Sequence, residues 1–110
     1  MLTKSELPPC PVATTIQLIG NKWKLFIMRN LLGGTQRFGE LRKTIPGISQ
    51  KVLTENLRSM ENDGMVIRTV FAEVPPRVEY RLSETGESMR PIIAAMDAWG
   101  TQYKSQMGKE

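Results

Sequence analysis

Residues 38–82 carry the pattern that most restricts the fold of this chain. Phe38, Leu41 and Ile45 recur at the spacing of one helix face, and Pro46-Gly47 then breaks that helix. Apolar residues return at helical spacing only a few positions later. The pattern therefore predicts two short helices joined by a tight turn.

The second helix of this pair is predicted to run from an N-cap at Ser49 to a left-handed stop at Gly64. Leu53, Leu57 and Met60 form its buried stripe. We expect this stripe to pack on the domain and the other face to meet a polar partner. That opposite face carries Gln50, Lys51, Thr54 and Arg58.

A two-stranded ribbon is predicted after the helix pair. Residues 77–82 alternate between apolar and charged side chains, which is the period of a strand with one buried face. Residues 66–73 are its expected antiparallel mate. Because Pro75 and Pro76 cannot donate to a strand ladder, the tip of the ribbon should be a projecting loop.

Two helices are predicted before this segment. Pro11 suits the first position of a helix that reaches about Ile19, with Cys10 as its N-cap. A second helix should begin near Asn21 and end at Gly33-Gly34.

A last helix can begin at a Ser83 cap, and its apolar stripe is sustained to Tyr103. A small domain covers only part of such a stripe, so we expect the rest to pack on a second copy of the chain about a two-fold axis. The first helix is expected to join this contact. The candidate dimer interface comprises Ile16, Met89, Ile93, Met96 and Trp99.

These elements predict the class α+β, mainly α: a winged helix-turn-helix with a two-stranded β wing and N- and C-terminal dimerisation helices. The expected organisation is an extended arm over residues 1–9, the domain over residues 10–103, and a polar tail over residues 104–110.

Composition narrows the functional classes. The chain has 15 Lys and Arg against 11 Asp and Glu, a net charge of +4, and no His. Residues 37–58 contain five Lys and Arg and only two Glu, a local excess of positive charge that suits a polyanionic partner. Without imidazole and with a single thiol, most metal sites and most nucleophile-and-base pairs are excluded, so we expect no enzyme, metal or cofactor.

The location of the protein is predicted from the lack of a secretory signal and of a membrane-spanning segment in the sequence. The first residues have no apolar core of the kind that a secretory signal requires, and no apolar run is long enough to span a bilayer. We expect a cytoplasmic, nucleoid-associated protein that makes no membrane contact.

The polar face of the second helix has a functional interpretation and an ordinary one. Side chains of these types can contact base edges in the major groove. The Lys, Arg and Ser side chains nearby can contact phosphates, and Arg77 can probe the minor groove or the DNA backbone from the wing. Alternatively, the face is merely solvated. The candidate DNA-binding residues are Arg42, Lys43, Ser49, Gln50, Lys51, Thr54, Arg58 and Arg77.

Cys10 also has two interpretations. At a helix N-terminus, free backbone N–H groups favour the thiolate that oxidants attack, which would make Cys10 a redox sensor. Since the chain has no second Cys, oxidation could give only an intersubunit bridge or a mixed disulfide with a small thiol. The alternative is a small packing residue.

Four blocks of sequence, in this order, resemble the HxlR-type helix-turn-helix family of bacterial transcriptional regulators, which is similar to the MarR group. They are CP, GNKWKLFIMRNLL, RFGELRKTIPGISQKVLTENLRSMENDGMVIR and PPRVEYRLSETG, and they span about Cys10 to Trp99. The resemblance implies a winged-helix homodimer that binds paired half-sites, with Ser49 to Arg58 on the recognition helix and Arg77 on the wing. It also implies a sensing role for Cys10, because some relatives use this cysteine.

We therefore expect a sequence-specific, homodimeric regulator that binds double-stranded DNA at an inverted-repeat operator and is redox- or electrophile-responsive through Cys10. The sequence does not identify a small-molecule effector. The alternative is a winged-helix module that binds another protein and no DNA.

Overall fold

The computed structural model describes residues 3–107. Within these residues, a short 3-10 helix at Lys4–Glu6 precedes six α-helices and the three strands of a small sheet. The elements are α1 (Pro11–Ile19), α2 (Lys22–Leu31), β1 (Gln36–Arg37), α3 (Phe38–Thr44), α4 (Gln50–Asn62), β2 (Val66–Phe71), β3 (Arg77–Leu82), and the last two helices, α5 (Glu84–Glu87) and α6 (Arg90–Met107). This is the predicted winged helix-turn-helix.

The sheet has three antiparallel strands in the order β1-β3-β2. Strands β2 and β3 form the predicted wing, with Val66 opposite Leu82 and Phe71 opposite Arg77. The prediction missed β1, in which Gln36 pairs with Tyr80. Two residues are too few to display an alternating pattern, so no sequence signal marks this strand.

The core lies where α2, α3 and α4 meet the inner face of the sheet. The predicted stripe of α4 is buried, with Leu53 and Met60 fully inaccessible. Ile27 and Met28 of α2 and Leu41 of α3 are likewise inaccessible to solvent. Helix α4 is therefore fixed to the domain along one side, and its opposite side stays at the surface.

Local signals set the ends of the helix pair. Gly47 has φ +79° in the turn and Gly64 has φ +77° after α4, a region that favours glycine. The backbone N–H of Val52 donates to the Ser49 side chain at 3.1 Å, which makes Ser49 the predicted N-cap. These contacts explain why the turn and the start of α4 were predictable.

The C-terminal helix differs from the prediction. Ser83 is an N-cap, as expected, but the helix that it begins ends at Glu87, and α6 starts anew at Arg90. Pro91 explains the break, since proline lacks an N–H for the preceding turn and suits the first turn of a new helix.

The ends of the domain also differ from the expected ones. Helix α6 continues past Tyr103, where the polar tail was predicted to start, to Met107. The arm is not wholly extended, because Lys4–Glu6 is helical. Met1, Leu2 and residues 108–110 lie outside the described residues. None of the helices described in the structure has the length and apolar character needed to cross a membrane.

Candidate nucleic-acid interface

The outer face of α4 presents the side chains that were predicted to contact bases. Gln50, Lys51 and Arg58 are exposed, and Thr54 is half-buried. Together with Glu55 they line one shallow depression on the surface of the helix. The sequence therefore predicted correctly which side of α4 is left uncovered.

Two hydroxyls of the candidate DNA-binding set, those of Ser49 and Thr54, already make intramolecular hydrogen bonds. The Ser49 oxygen accepts from the Val52 N–H, but its hydroxyl hydrogen can still donate to a phosphate. Thr54 Oγ1 donates to the Gln50 carbonyl at 2.8 Å. Its lone pairs and methyl group remain available to a base edge.

Arg42 and Lys43 lie in the last turn of α3, just before the turn of the helix-turn-helix, and both are exposed. Positive side chains at this end of a helix also complement its dipole. We call Arg42 and Lys43 the basic edge; in the chain they lie just across the turn from Ser49, the N-cap of α4.

Side-chain hydrogen bonds from the start of α2 hold α4 in its orientation. Asn21 Nδ2 donates to Asn56 Oδ1 at 3.2 Å, while the Asn21 Oδ1 accepts from the Lys24 N–H at 2.9 Å as the N-cap of α2. Lys24 Nζ donates to Ser59 Oγ at 2.9 Å. Sequence analysis missed these residues, although a helix-capping Asn and polar positions at the edge of the buried stripe of α4 were available signals.

Arg77 is held on the wing by three neighbours. Its Nη2 lies 3.3 Å from Glu73 Oε1, its Nε lies 3.4 Å from Glu79 Oε2, and its guanidinium carbon lies 4.0 Å from the centre of the Phe71 ring. The predicted minor-groove probe is thus engaged within the wing, and its side chain is only 28% exposed.

The five predicted interface residues divide into two groups. Ile16, Met96 and Trp99 are 59%, 48% and 68% exposed, so their apolar surface is uncovered. Met89 and Ile93 are only 8% and 9% exposed because they pack into the core of their own chain. These two residues have little surface left for a partner, and their place in the interface stays a prediction.

Further exposed apolar side chains extend the uncovered surface along α1 and α6. Trp99 and Tyr103 stack with ring centres 5.3 Å apart and planes at 10°. Among the residues of α6, only Ile93 is buried. The other exposed apolar residues on these helices are Val12, Ile92, Tyr103 and Met107.

Cys10 is the N-cap residue of α1 and is exposed. Its thiol makes no capping hydrogen bond, whereas its carbonyl accepts from the Thr14 N–H at 3.0 Å. The sulfur is therefore accessible from solvent at the start of a helix whose exposed face is apolar.

Comparison with known proteins identifies the family. A sequence model described as HxlR-like helix-turn-helix matches residues 18–108. The chain belongs to this HxlR-like family. The uncharacterized HTH-type transcriptional regulator YdeP of Bacillus subtilis (strain 168) is 46% identical over 107 residues, which cover 97% of this chain and 84% of YdeP.

Solved structures agree with this assignment to the HxlR-like family. The redox regulator HypR in its reduced form has a TM-score of 0.85 and 40% identity, over 92% of this chain and 100% of HypR. Its oxidized form has a TM-score of 0.81 and 44% identity, over 84% of this chain and 96% of HypR. HxlR-like proteins are helix-turn-helix transcriptional regulators, a class that binds DNA. The chain is therefore a DNA-binding transcriptional regulator.

Proposed function

We propose that the chain acts as a homodimer on an inverted-repeat operator, with the two α4 helices entering successive major grooves roughly 34 Å apart. The observation that carries this proposal is the uncovered polar face of α4, with the basic edge before it and the wing after it in the chain. An amphipathic helix fixed on its apolar side presents its other side in a defined orientation, which base recognition requires.

The side chains on this face suggest a division of roles. Lys51 and Arg58 can donate to the O6 and N7 atoms of guanine, and Gln50 can bind adenine through its amide. Thr54 can contact a thymine methyl group. The remaining candidates, Arg42, Lys43 and Ser49, are placed for phosphates, which fix the register of the protein on the duplex without specifying its sequence.

Arg77 requires a separate step in this proposal. Contact with the minor groove needs the guanidinium to leave Glu73 and Glu79, which it reaches at 3.3 and 3.4 Å. Since both carboxylates are partly exposed, solvent weakens these ion pairs, and a phosphate-rich groove can compete with them.

The dimer contact is proposed along α1 and the outer stripe of α6. Helix α6 has 18 residues, which corresponds to a length of about 27 Å. Ile92, Met96, Trp99 and Tyr103 recur on one face of this helix and are exposed. Removing this apolar surface from water favours association, and a two-fold axis lets the same surface serve both subunits.

Oxidation of Cys10 is proposed as the signal that changes DNA binding. Two Cys10 thiols, one from each subunit, can lose two electrons and two protons to a peroxide and form a disulfide. Alternatively, one Cys10 thiol and one small thiol give the mixed disulfide with the same balance. Support comes from the exposed sulfur on α1 and from the likeness to HypR, which is described as a redox regulator.

Selection of bound duplexes from a random pool tests the function. With the full chain, we expect enrichment of an inverted repeat whose half-site centres lie about 10 base pairs apart. The same number of rounds with immobilisation beads alone gives the background. A pool that stays random would contradict DNA recognition and favour a protein partner.

The same assay tests the signal. We expect hydrogen peroxide to change the affinity of the reduced protein for the selected duplex by about 5-fold to 150-fold, the usual range of coupling between two sites. Dithiothreitol should reverse the change, and the Cys10→Ser variant should not respond. If Cys10→Ser responds to hydrogen peroxide as strongly as the wild type does, Cys10 is not the sensor, and the interpretation as a packing residue holds.

A further inference from the structure

A polar cleft separates the recognition helix from the wing. It has a volume of about 300 Å³ and is lined by Thr54, Leu57, Arg58, Glu61, Arg68 and Tyr80. We propose that Arg58 and Arg68 form a clamp in this cleft for one phosphodiester group of the DNA backbone. This inference rests on the proposed function and adds Arg68 to the residues that contact DNA.

Strand register assigns Arg68 to the inner face of the wing. Val66 pairs with Leu82, and both are buried in the core. Arg68 pairs with Tyr80, and because side chains alternate along a strand it shares the face of Val66. Arg68 is exposed, whereas Tyr80 opposite is buried, so Arg68 lies where the core ends and the cleft begins.

Register also separates Arg68 from Arg77. Arg77 pairs with Phe71, and this pair lies on the other face of the ribbon, away from the core. Its guanidinium stacks on the Phe71 ring there. The arginine singled out from the sequence is thus on the outer face of the wing, while Arg68 faces the recognition helix.

The other wall of the cleft comes from α4. Thr54, Arg58 and Glu61 stand at positions i, i+4 and i+7 and so share one face of the helix. Arg58 also lines the depression on the outer face of α4, so its side chain lies at the border between the base-contacting surface and the cleft. Arg58 can therefore act in either place, but Arg68 belongs to the cleft alone.

The charges in the cleft favour an anion. Two guanidinium groups and one carboxylate leave a net charge of +1, and within residues 3–107 neither Arg58 nor Arg68 has an ion-pair partner. Two like charges in one cleft repel each other unless an anion lies between them. By contrast, Arg77 is already paired with Glu73 and Glu79, and it must leave these carboxylates before it can contact DNA.

Position identifies the anion as a backbone phosphate. A helix in the major groove and a wing beside it must have one DNA strand running between them, and the cleft lies between those two elements. Arginine binds phosphate through two parallel N–H donors, which makes it well suited to fix the register of the duplex.

Fluorescence anisotropy with the selected duplex tests the clamp. We expect Arg68→Ala to weaken binding at least about tenfold, as removal of a charge-assisted hydrogen bond does. The dependence of log affinity on log salt should flatten by about one unit for each phosphate that the variant no longer neutralises, or two per dimer. The base preference should not change. Arg81→Ala is the matched control, because Arg81 is exposed on the outer face of the ribbon.

Three results would overturn the clamp. The first is an Arg68→Ala variant that matches Arg81→Ala in affinity and salt dependence while the wild type binds DNA. If Arg68→Ala fails to fold by circular dichroism, Arg68→Gln must show the same weakening. The second comes from titration with inorganic phosphate at constant ionic strength. If phosphate binds the wild type and not Arg68→Ala, while both proteins bind DNA with the same affinity, the cleft is a site for a free anion. The third, a wild type that binds no duplex, would overturn the proposed function as well.

Discussion

Affinity for the selected operator is expected to fall about a thousandfold or more when the salt concentration rises from about 50 to 200 mM, if each dimer makes roughly 6 to 10 phosphate contacts. The reason is the release of counterions from DNA as Lys and Arg neutralise phosphates. Candidate contacts from the exposed basic side chains occur twice in a dimer. They are Arg42, Lys43, Arg58 and Arg68 of each subunit.

Anisotropy titrations at four salt concentrations measure this dependence. A duplex of the same length with a scrambled operator is the control, and its weaker binding should show a slope of similar sign, because phosphate contacts are independent of sequence. A flat response for the operator would mean that phosphates contribute little, and the assignment of the basic edge would then be wrong.

Placing a charge on the α6 stripe should disrupt the dimer. In the Trp99→Asp variant, a carboxylate replaces an exposed indole that we assign to the interface, and its burial between subunits is unfavourable without a partner charge. Each subunit would then hold one half-site alone, and the absence of linked binding should lower operator affinity at least about a hundredfold. Sedimentation equilibrium measures the dimer, and anisotropy measures the affinity.

Thr101→Asp is the matched control for this charge. Thr101 is exposed on the same helix, two residues from Trp99 and therefore on the opposite side. This variant should remain dimeric and should bind the operator as the wild type does. A Trp99→Asp protein that also remains dimeric with unchanged affinity would mean that the subunits associate through another surface.

Periodicity explains why most of the domain could be predicted. Leu53, Leu57 and Met60 repeat at helical spacing, and burial of that stripe leaves one side of α4 outward. Ser49 and Gly64 mark its ends through capping and a left-handed turn. These signals are local, so they do not depend on the rest of the fold.

The features that escaped prediction depend on tertiary contacts. Strand β1 exists because Gln36 meets Tyr80 from another part of the chain. Met89 and Ile93 belong to the apolar stripe of the sequence, but both pack into the core of their own chain. A stripe alone does not distinguish residues that face the core from those that face a partner.

The wing illustrates the same limit. Alternation predicted two strands, but a single sequence does not give the register that sets Arg68 opposite Tyr80 and Arg77 opposite Phe71. This register decides which arginine faces α4. It also brings Glu73 and Glu79 to Arg77, a neighbourhood that a linear count of charges does not reveal.

Base recognition by the outer face of α4 is the central claim, and selection with three variants tests it most directly. Removal of a bidentate hydrogen-bonding pair takes away about 1 to 3 kcal/mol of discrimination between bases. The Lys51→Ala variant should therefore lose the preference at one position in each half-site, while Arg42→Ala should bind more weakly with its preferences intact. Identical preferences for the wild type and Lys51→Ala, and likewise for Gln50→Ala, would contradict the claim.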